Sequence, residues 1–175
     1  MFNFKPSIQW LQEAAKAEEE FDISAGVPSM SLIVKVKKTI PSAVLPQFAT
    51  SGAGGADLTA ATETLRNELT GPVVEYDTGC AFEIPSGHIG LVLPRSSVTT
   101  KTTLMLGNSI GLIDSDYRGS VKFQYRNVGA AGKKYKVGDR IGQIVILPIP
   151  AVSFVEVEEL SDTDRGSGGF GSSGV

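Results

Sequence analysis

The chain has 175 residues, of which 41% are hydrophobic, and carries a formal net charge of −3. That length suits one domain with a substantial core, and that charge supplies no global basic field for holding a nucleic-acid polymer. No apolar run approaches the roughly 20 residues that span a bilayer, and the N-terminus shows no basic-then-apolar secretory pattern, so neither a membrane nor an export route is expected.

In chain order, Trp10, Ala14, Ala17 and Phe21 fall on one face of a helix. Ser7, after Pro6, is its N-cap. Glu18, Glu19 and Glu20 crowd the end of the helix dipole that disfavours acids. Gly26–Ser29 then reads as a linker, so residues 1–30 form an N-terminal helical extension. From Ser31 the period changes to two, with Leu32, Val34 and Val36 alternating with Ile33, Lys35 and Lys37. Further strands are predicted at Val73–Tyr76, Cys80–Ile84, His88–Leu93, Ser120–Asn127, Arg140–Leu147 and Val152–Glu158. Short strands punctuated by Gly and Pro predict an all-β sandwich or barrel over residues 31–160. Residues 161–175 form a Gly- and Ser-rich arm, expected to be mobile without ligand.

Cys80 and His88 are the only residues of their kinds. They exclude an intrachain disulfide and a Cys/His zinc site within one subunit, and the lone cysteine fits a reducing, cytoplasmic compartment. Cys80 reads as core and His88 as a turn residue.

The stretch Gly111-Leu112-Ile113-Asp114-Ser115-Asp116-Tyr117-Arg118-Gly119 packs two carboxylates, a ring and a guanidinium into what reads as a hairpin tip, far more polar chemistry than a hairpin needs. It begins like a calcium loop, but Arg118 and Tyr125 stand where that loop wants oxygen ligands, which excludes calcium. Pro94-Arg95-Ser96-Ser97 follows a strand. Its small hydroxylic residues let backbone N–H groups approach an anion, and Arg95 adds charge-assisted donors. Arg140 and Gln143, three apart on one strand, face opposite sides unless the strand bends or one side chain crosses a subunit boundary. Gly166, Gly168 and Gly171 spell a dinucleotide fingerprint. Too few residues follow for the helix that such a site requires, and no Lys follows Gly171 for a P-loop.

Together with Gly55-Ala56-Asp57-Leu58, Gly138-Asp139-Arg140-Ile141-Gly142-Gln143 and the tail from Arg165, these segments resemble, in order, the signature of the trimeric dUTP pyrophosphatases (dUTPases). The likeness covers roughly residues 30–175 and implies a distorted jelly-roll barrel that hydrolyses dUTP to dUMP and pyrophosphate with Mg2+. By resemblance Asp114 orients or deprotonates the attacking water, a role open to an aspartate because it is ordinarily ionised at neutral pH. Ser96 stabilises charge at the α–β bridging oxygen, with Arg95 and Ser97 on the phosphates. Tyr117 presses on the deoxyribose, and Asn108, Gly111 and Ile113 hold the uracil edge. Asp57 and Gln143 stand in the outer shell of a magnesium ion carried by substrate phosphates and waters rather than by direct protein ligands. Arg140 is a phosphate contact or partly structural. The tail closes over the nucleotide, with Phe170 stacked on uracil and Arg165, Gly171, Ser172 and Ser173 near the phosphates. The resemblance also implies a homotrimer with shared sites. Two rival readings remain: a dCTP deaminase of the same fold, and a regulatory trimer that docks a protein partner through its N-terminal extension.

Overall fold

A computed structural model describes residues 32–69 and 71–169. The predicted N-terminal helix, residues 1–30, and the end of the arm from Phe170 lie outside the described residues. The chain divides into two units, Met1–Ile33 and Val34–Val175, and every described strand belongs to the second.

Among the described residues, ten strands form two antiparallel sheets. They are β1 Lys35–Lys38, β2 Gln47–Phe48, β3 Ala56–Thr59, β4 Thr62–Glu68, β5 Gly71–Glu83, β6 His88–Pro94, β7 Leu104–Leu106, β8 Gly111–Ile113, β9 Ser120–Asn127 and β10 Arg140–Pro148, with one short helix, α1 Val98–Lys101. One sheet runs β1-β5-β9-β7, with β4 also on β5; the other runs β2-β3-β10-β6-β8. No helix among the described residues is long and apolar enough to cross a membrane.

The alternation seen in the sequence is the cause of the layering. In β9, Val121, Phe123 and Tyr125 are buried while Lys122 and Gln124 face out, the period-two pattern of a strand with one face on the core. Between the sheets pack Leu58, Tyr76, Phe123, Tyr125, Ile141 and Ile144. Tyr76, Tyr125 and Tyr135 meet edge to face with ring centroids 5.8–6.1 Å apart, a favourable arrangement of their quadrupoles. Two of the three buried hydroxyls find backbone partners, which offsets the cost of burying them. Tyr76 Oη donates to the Tyr135 carbonyl at 2.9 Å and Tyr125 Oη to the Ile141 carbonyl at 2.6 Å. The second of these bonds ties one sheet to the other.

The strands predicted at Val73–Tyr76 and Cys80–Ile84 are one strand, β5, that serves two partners on one edge. Its first half pairs with β4 and its second with β1. The change of partner falls at a bulge, where Asp77 pairs with Lys122 but Ala81 with Ser120. Gly79 sits there at φ +65°, and a Cβ on it would come within 2.6 Å of Ile40. Both facts require glycine. The prediction at Val152–Glu158 fails. This segment pairs with no strand among the described residues, and Val152, Phe154, Val155 and Val157 are all exposed.

Glu75, hidden in an apolar run, faces outward yet is buried by its neighbours. Its carboxylate accepts from Arg66 at 2.9 Å, Gln124 at 3.0 Å and Lys122 at 3.2 Å. Burial alone would raise its pKa, but the Gln124 and Lys122 hydrogen bonds, the Lys122 charge and Arg66 outweigh it and hold the carboxyl below the usual range. A depressed folded-state value contributes stability that is present above the ordinary carboxylate pKa and lost as pH falls through the depressed one. Glu75→Gln therefore lowers stability at pH 7 by about 1–3 kcal/mol, the lower part being favoured because Lys122 and Arg66 stay half exposed. Denaturant midpoints at pH 7 and pH 3 check this: the gap between parent and variant narrows in acid. A gap that stays constant would mean that the ionised carboxylate is not what Glu75 contributes.

Candidate active site

Asp57 lies on β3, buried, between two guanidinium groups. Arg95 Nε donates to its Oδ1 at 3.0 Å and Arg140 Nη1 to its Oδ2 at 2.8 Å. Charge-assisted bonds of this kind fix both arginines in place. Gln143 stands beside Asp57 in the ladder between β3 and β10, and a register shift separates Arg140 from Gly142. That bulge is the bend anticipated for this strand. Ile141 and Ile144 point into the core, and Arg140 and Gln143 share the outer side. Gln143 Nε2 also reaches the Pro94 carbonyl at 3.4 Å. Four predicted residues, from β3, β10 and the loop that follows β6, thus form one cluster.

Ser96 and Ser97 continue directly from Arg95. The loop tightens where Val98 N donates to the Arg95 carbonyl at 3.0 Å and Lys101 N to the Ser97 carbonyl at 2.9 Å, which starts α1. Ser96 is exposed and Ser97 half-buried. The serine loop therefore begins directly at one of the two arginines braced on Asp57.

Asn108, Gly111 and Ile113 line one cavity of about 540 Å3 with Glu75, Lys122 and Gln124. The apolar run Leu104–Leu106 holds no hint of those three polar walls. Their signal is the outward set of the β9 alternation, together with one carboxylate misplaced in an apolar run. Asp114 and Tyr117 are exposed in the turn that follows β8, and Tyr117 N donates to the Asp114 carbonyl at 3.2 Å.

That turn is not a hairpin tip. β8 pairs with β6, while β9 pairs with β5 and β7, so residues 114–119 carry the chain from one sheet to the other. Ile113 packs on Gly90 of β6, which holds β8 in the second sheet.

The register also places Asp114. Gly111 pairs with Val92 and Ile113 with Gly90, so β8 runs away from Arg95. The ladder ends at Ile113 opposite Gly90; Asp114 follows one residue further on, so at about 3.3 Å per residue roughly 20 Å separate it from Arg95 along β6. One protomer therefore joins Asp57, Arg95, Arg140 and Gln143 and leaves Asp114 at the other end of the same sheet. In the described part of the arm, Arg165 Nε donates to the Gly168 carbonyl at 2.9 Å. Phe170, Gly171, Ser172 and Ser173 lie outside the described residues.

An all-β scaffold thus presents a carboxylate-braced arginine pair next to a serine loop and, separately, a polar-walled cavity. The dUTPase family model matches residues 42–174, and the chain belongs to the dUTPase family. The deoxyuridine 5′-triphosphate nucleotidohydrolase of Desulfitobacterium hafniense strain DSM 10664 / DCB-2 is 45% identical over 135 residues, covering 75% of this chain and 87% of that relative. The enzyme of the same name from Escherichia phage T5 is 43% identical over 148 residues, 81% of this chain and 99% of its own. Among solved structures, a Staphylococcus bacteriophage 80alpha dUTPase mutant with dUpNHpp superposes with a TM-score of 0.69 at 28% identity, covering 82% of this chain and 99% of that one.

Proposed function

We propose that the protein is a dUTP diphosphatase: water attacks the α-phosphorus of dUTP, the α–β bridging bond breaks, and dUMP and pyrophosphate leave. Such an activity keeps uracil out of DNA and supplies dUMP for thymidylate synthesis. The observation that carries the reading is the arginine pair braced on Asp57 beside Ser96 and Ser97. It is a pre-formed anion cradle, and pre-formed charge is what stabilises a transferring phosphoryl group.

Arg95, Arg140 and the two serines hold the triphosphate, and Ser96 donates to the bridging oxygen as charge grows there. Asp114 orients the water and takes its proton. Asn108, Gly111 and Ile113 grip the uracil edge, Tyr117 meets the deoxyribose, and the arm brings Arg165, Phe170, Gly171, Ser172 and Ser173 over the nucleotide. The sheets are taken as the distorted jelly-roll barrel of a catalytic domain over residues 31–160, with extensions at 1–30 and 161–175. The single cysteine is free and buried, in keeping with a cytoplasmic enzyme.

The donor set suits magnesium in an outer-shell manner. Both Asp57 oxygens are engaged by arginines, so a magnesium ion would be carried by phosphate oxygens and waters, with Asp57 and Gln143 around them. When bound, the ion neutralises triphosphate charge.

The same geometry supports a homotrimer with shared sites. Asp114 of one copy must meet the arginine cluster of another, because within a copy they stand about 20 Å apart. The exposed apolar residues Val152, Phe154, Val155, Val157 and Leu160 give the copies a surface to bury.

Pyrophosphate release from dUTP, dCTP, dTTP and UTP, measured side by side with Mg2+, tests the assignment. Uracil offers N–H at position 3 and C=O at position 4, and cytosine reverses both. A site built on those hydrogen bonds prefers dUTP over dCTP by about 10⁴. Ammonia release from dCTP would make the protein a deaminase instead.

A further inference from the structure

Tyr117 is 45% exposed. The covered part of its ring lies over Gly119, where a Cβ would stand 2.2 Å from Tyr117 Oη and 2.5 Å from Cζ. The backbone at Gly119 is not left-handed, so glycine is required there only by the ring. Tyr117 Oη also donates to the Ser120 carbonyl at 3.4 Å.

Ser120, the first residue of β9, is itself anchored. Its Oγ donates to Asp77 Oδ1 in a short hydrogen bond. Asp77 Oδ1 also accepts from Gly79 N at 2.7 Å, and its Oδ2 lies 3.5 Å from Lys122 Nζ. Next to it, Thr78 Oγ1 donates to the Val121 carbonyl at 2.8 Å. The bulge in β5 thus clamps the start of β9, and the start of β9 carries the platform on which the Tyr117 ring rests.

We infer that Gly119 is the seat of the Tyr117 ring and that Asp77, through Ser120, sets the height of that seat, so that exclusion of a ribose 2′-hydroxyl depends on positioning residues that touch no substrate atom. This rests on the assignment of Tyr117 to the sugar. A ring held from behind by backbone cannot retreat from an added hydroxyl. A ring displaced by a methyl at position 119 leaves its place, and because it is the free end of a side chain it moves without disturbing the sheets.

The test is the ratio of kcat/KM for UTP to that for dUTP, with thermal unfolding recorded for every variant. Gly119→Ala raises the ratio about tenfold or more, as does Tyr117→Ala, and the double variant rises no further than either, the mark of two residues acting as one. Asp77→Ala raises the ratio when Gly119 is kept and adds nothing to Gly119→Ala, and Asp77→Asn restores most of the selectivity, because its amide oxygen still accepts from Ser120 and Gly79. If Tyr117→Ala shifts the ratio but Gly119→Ala and Asp77→Ala do not, the seat is refuted and the sugar assignment stands. If Tyr117→Ala leaves the ratio unchanged, the sugar assignment itself falls and the seat with it. Additive effects in the double variant also overturn the inference.

Discussion

Asp114→Asn lowers kcat for dUTP by about 10²–10⁴ while leaving affinity for a non-hydrolysable dUTP analogue close to that of the parent. The substitution keeps the shape of the side chain and removes its charge and basicity. Nothing in the fold relies on that carboxylate: the side chain is exposed, and the turn is held by the backbone bond from Tyr117 N to the Asp114 carbonyl and by Arg118 Nη1, which donates to the Ser115 carbonyl at 2.7 Å. Turnover and calorimetric titration of the same preparation separate the two quantities. Near-parental turnover would remove Asp114 from the chemistry. Loss of analogue binding along with turnover would show that the carboxylate acts on the ground state.

Deleting residues 165–175 lowers kcat/KM by at least about 10², with the unfolding transition of the barrel unchanged. In the proposed closed state Phe170 would stack on uracil, a contact of about 1–3 kcal/mol, each 1.4 kcal/mol being tenfold, and Arg165 would add a phosphate contact. Among the described residues, the arm makes no hydrogen bond to the barrel. Gly166 N donates to Thr163, and Gly168 N and the Gly168 carbonyl bond only with Arg165. Steady-state kinetics with a thermal melt decide the matter. Activity retained after the deletion would leave the arm without a role in closure.

How much of the molecule is legible in the sequence differs by element, for physical reasons. Ser120–Asn127 can be read to its limits because it has one wet face and one dry face, and its alternation is undiluted. Asp57 looks like a turn aspartate after Gly54 and Gly55. It lies in a strand because Ala56 and Leu58 are core residues, a decision made by tertiary packing. Val152–Glu158 carries the composition of a strand yet pairs with none among the described residues, because composition records strand propensity and not whether a chain end is brought beside a partner edge. The turn after β8 reads as a hairpin because periodicity reports which residues face the core but not which sheet receives them. The relation of Arg140 to Gln143 depends on a bulge, and a bulge adds one residue without any mark in composition.

The Asp57 brace has a consequence for the end of the catalytic cycle. Two guanidinium groups and one carboxylate amount to a single net positive charge, held at fixed spacing before any nucleotide arrives. The same two cations without the carboxylate would grip a polyanion more tightly, and pyrophosphate would then depart slowly and inhibit its own formation. A cradle already half-satisfied from within orients an incoming triphosphate at little entropic cost, yet it can let go of the fragment that chemistry leaves behind.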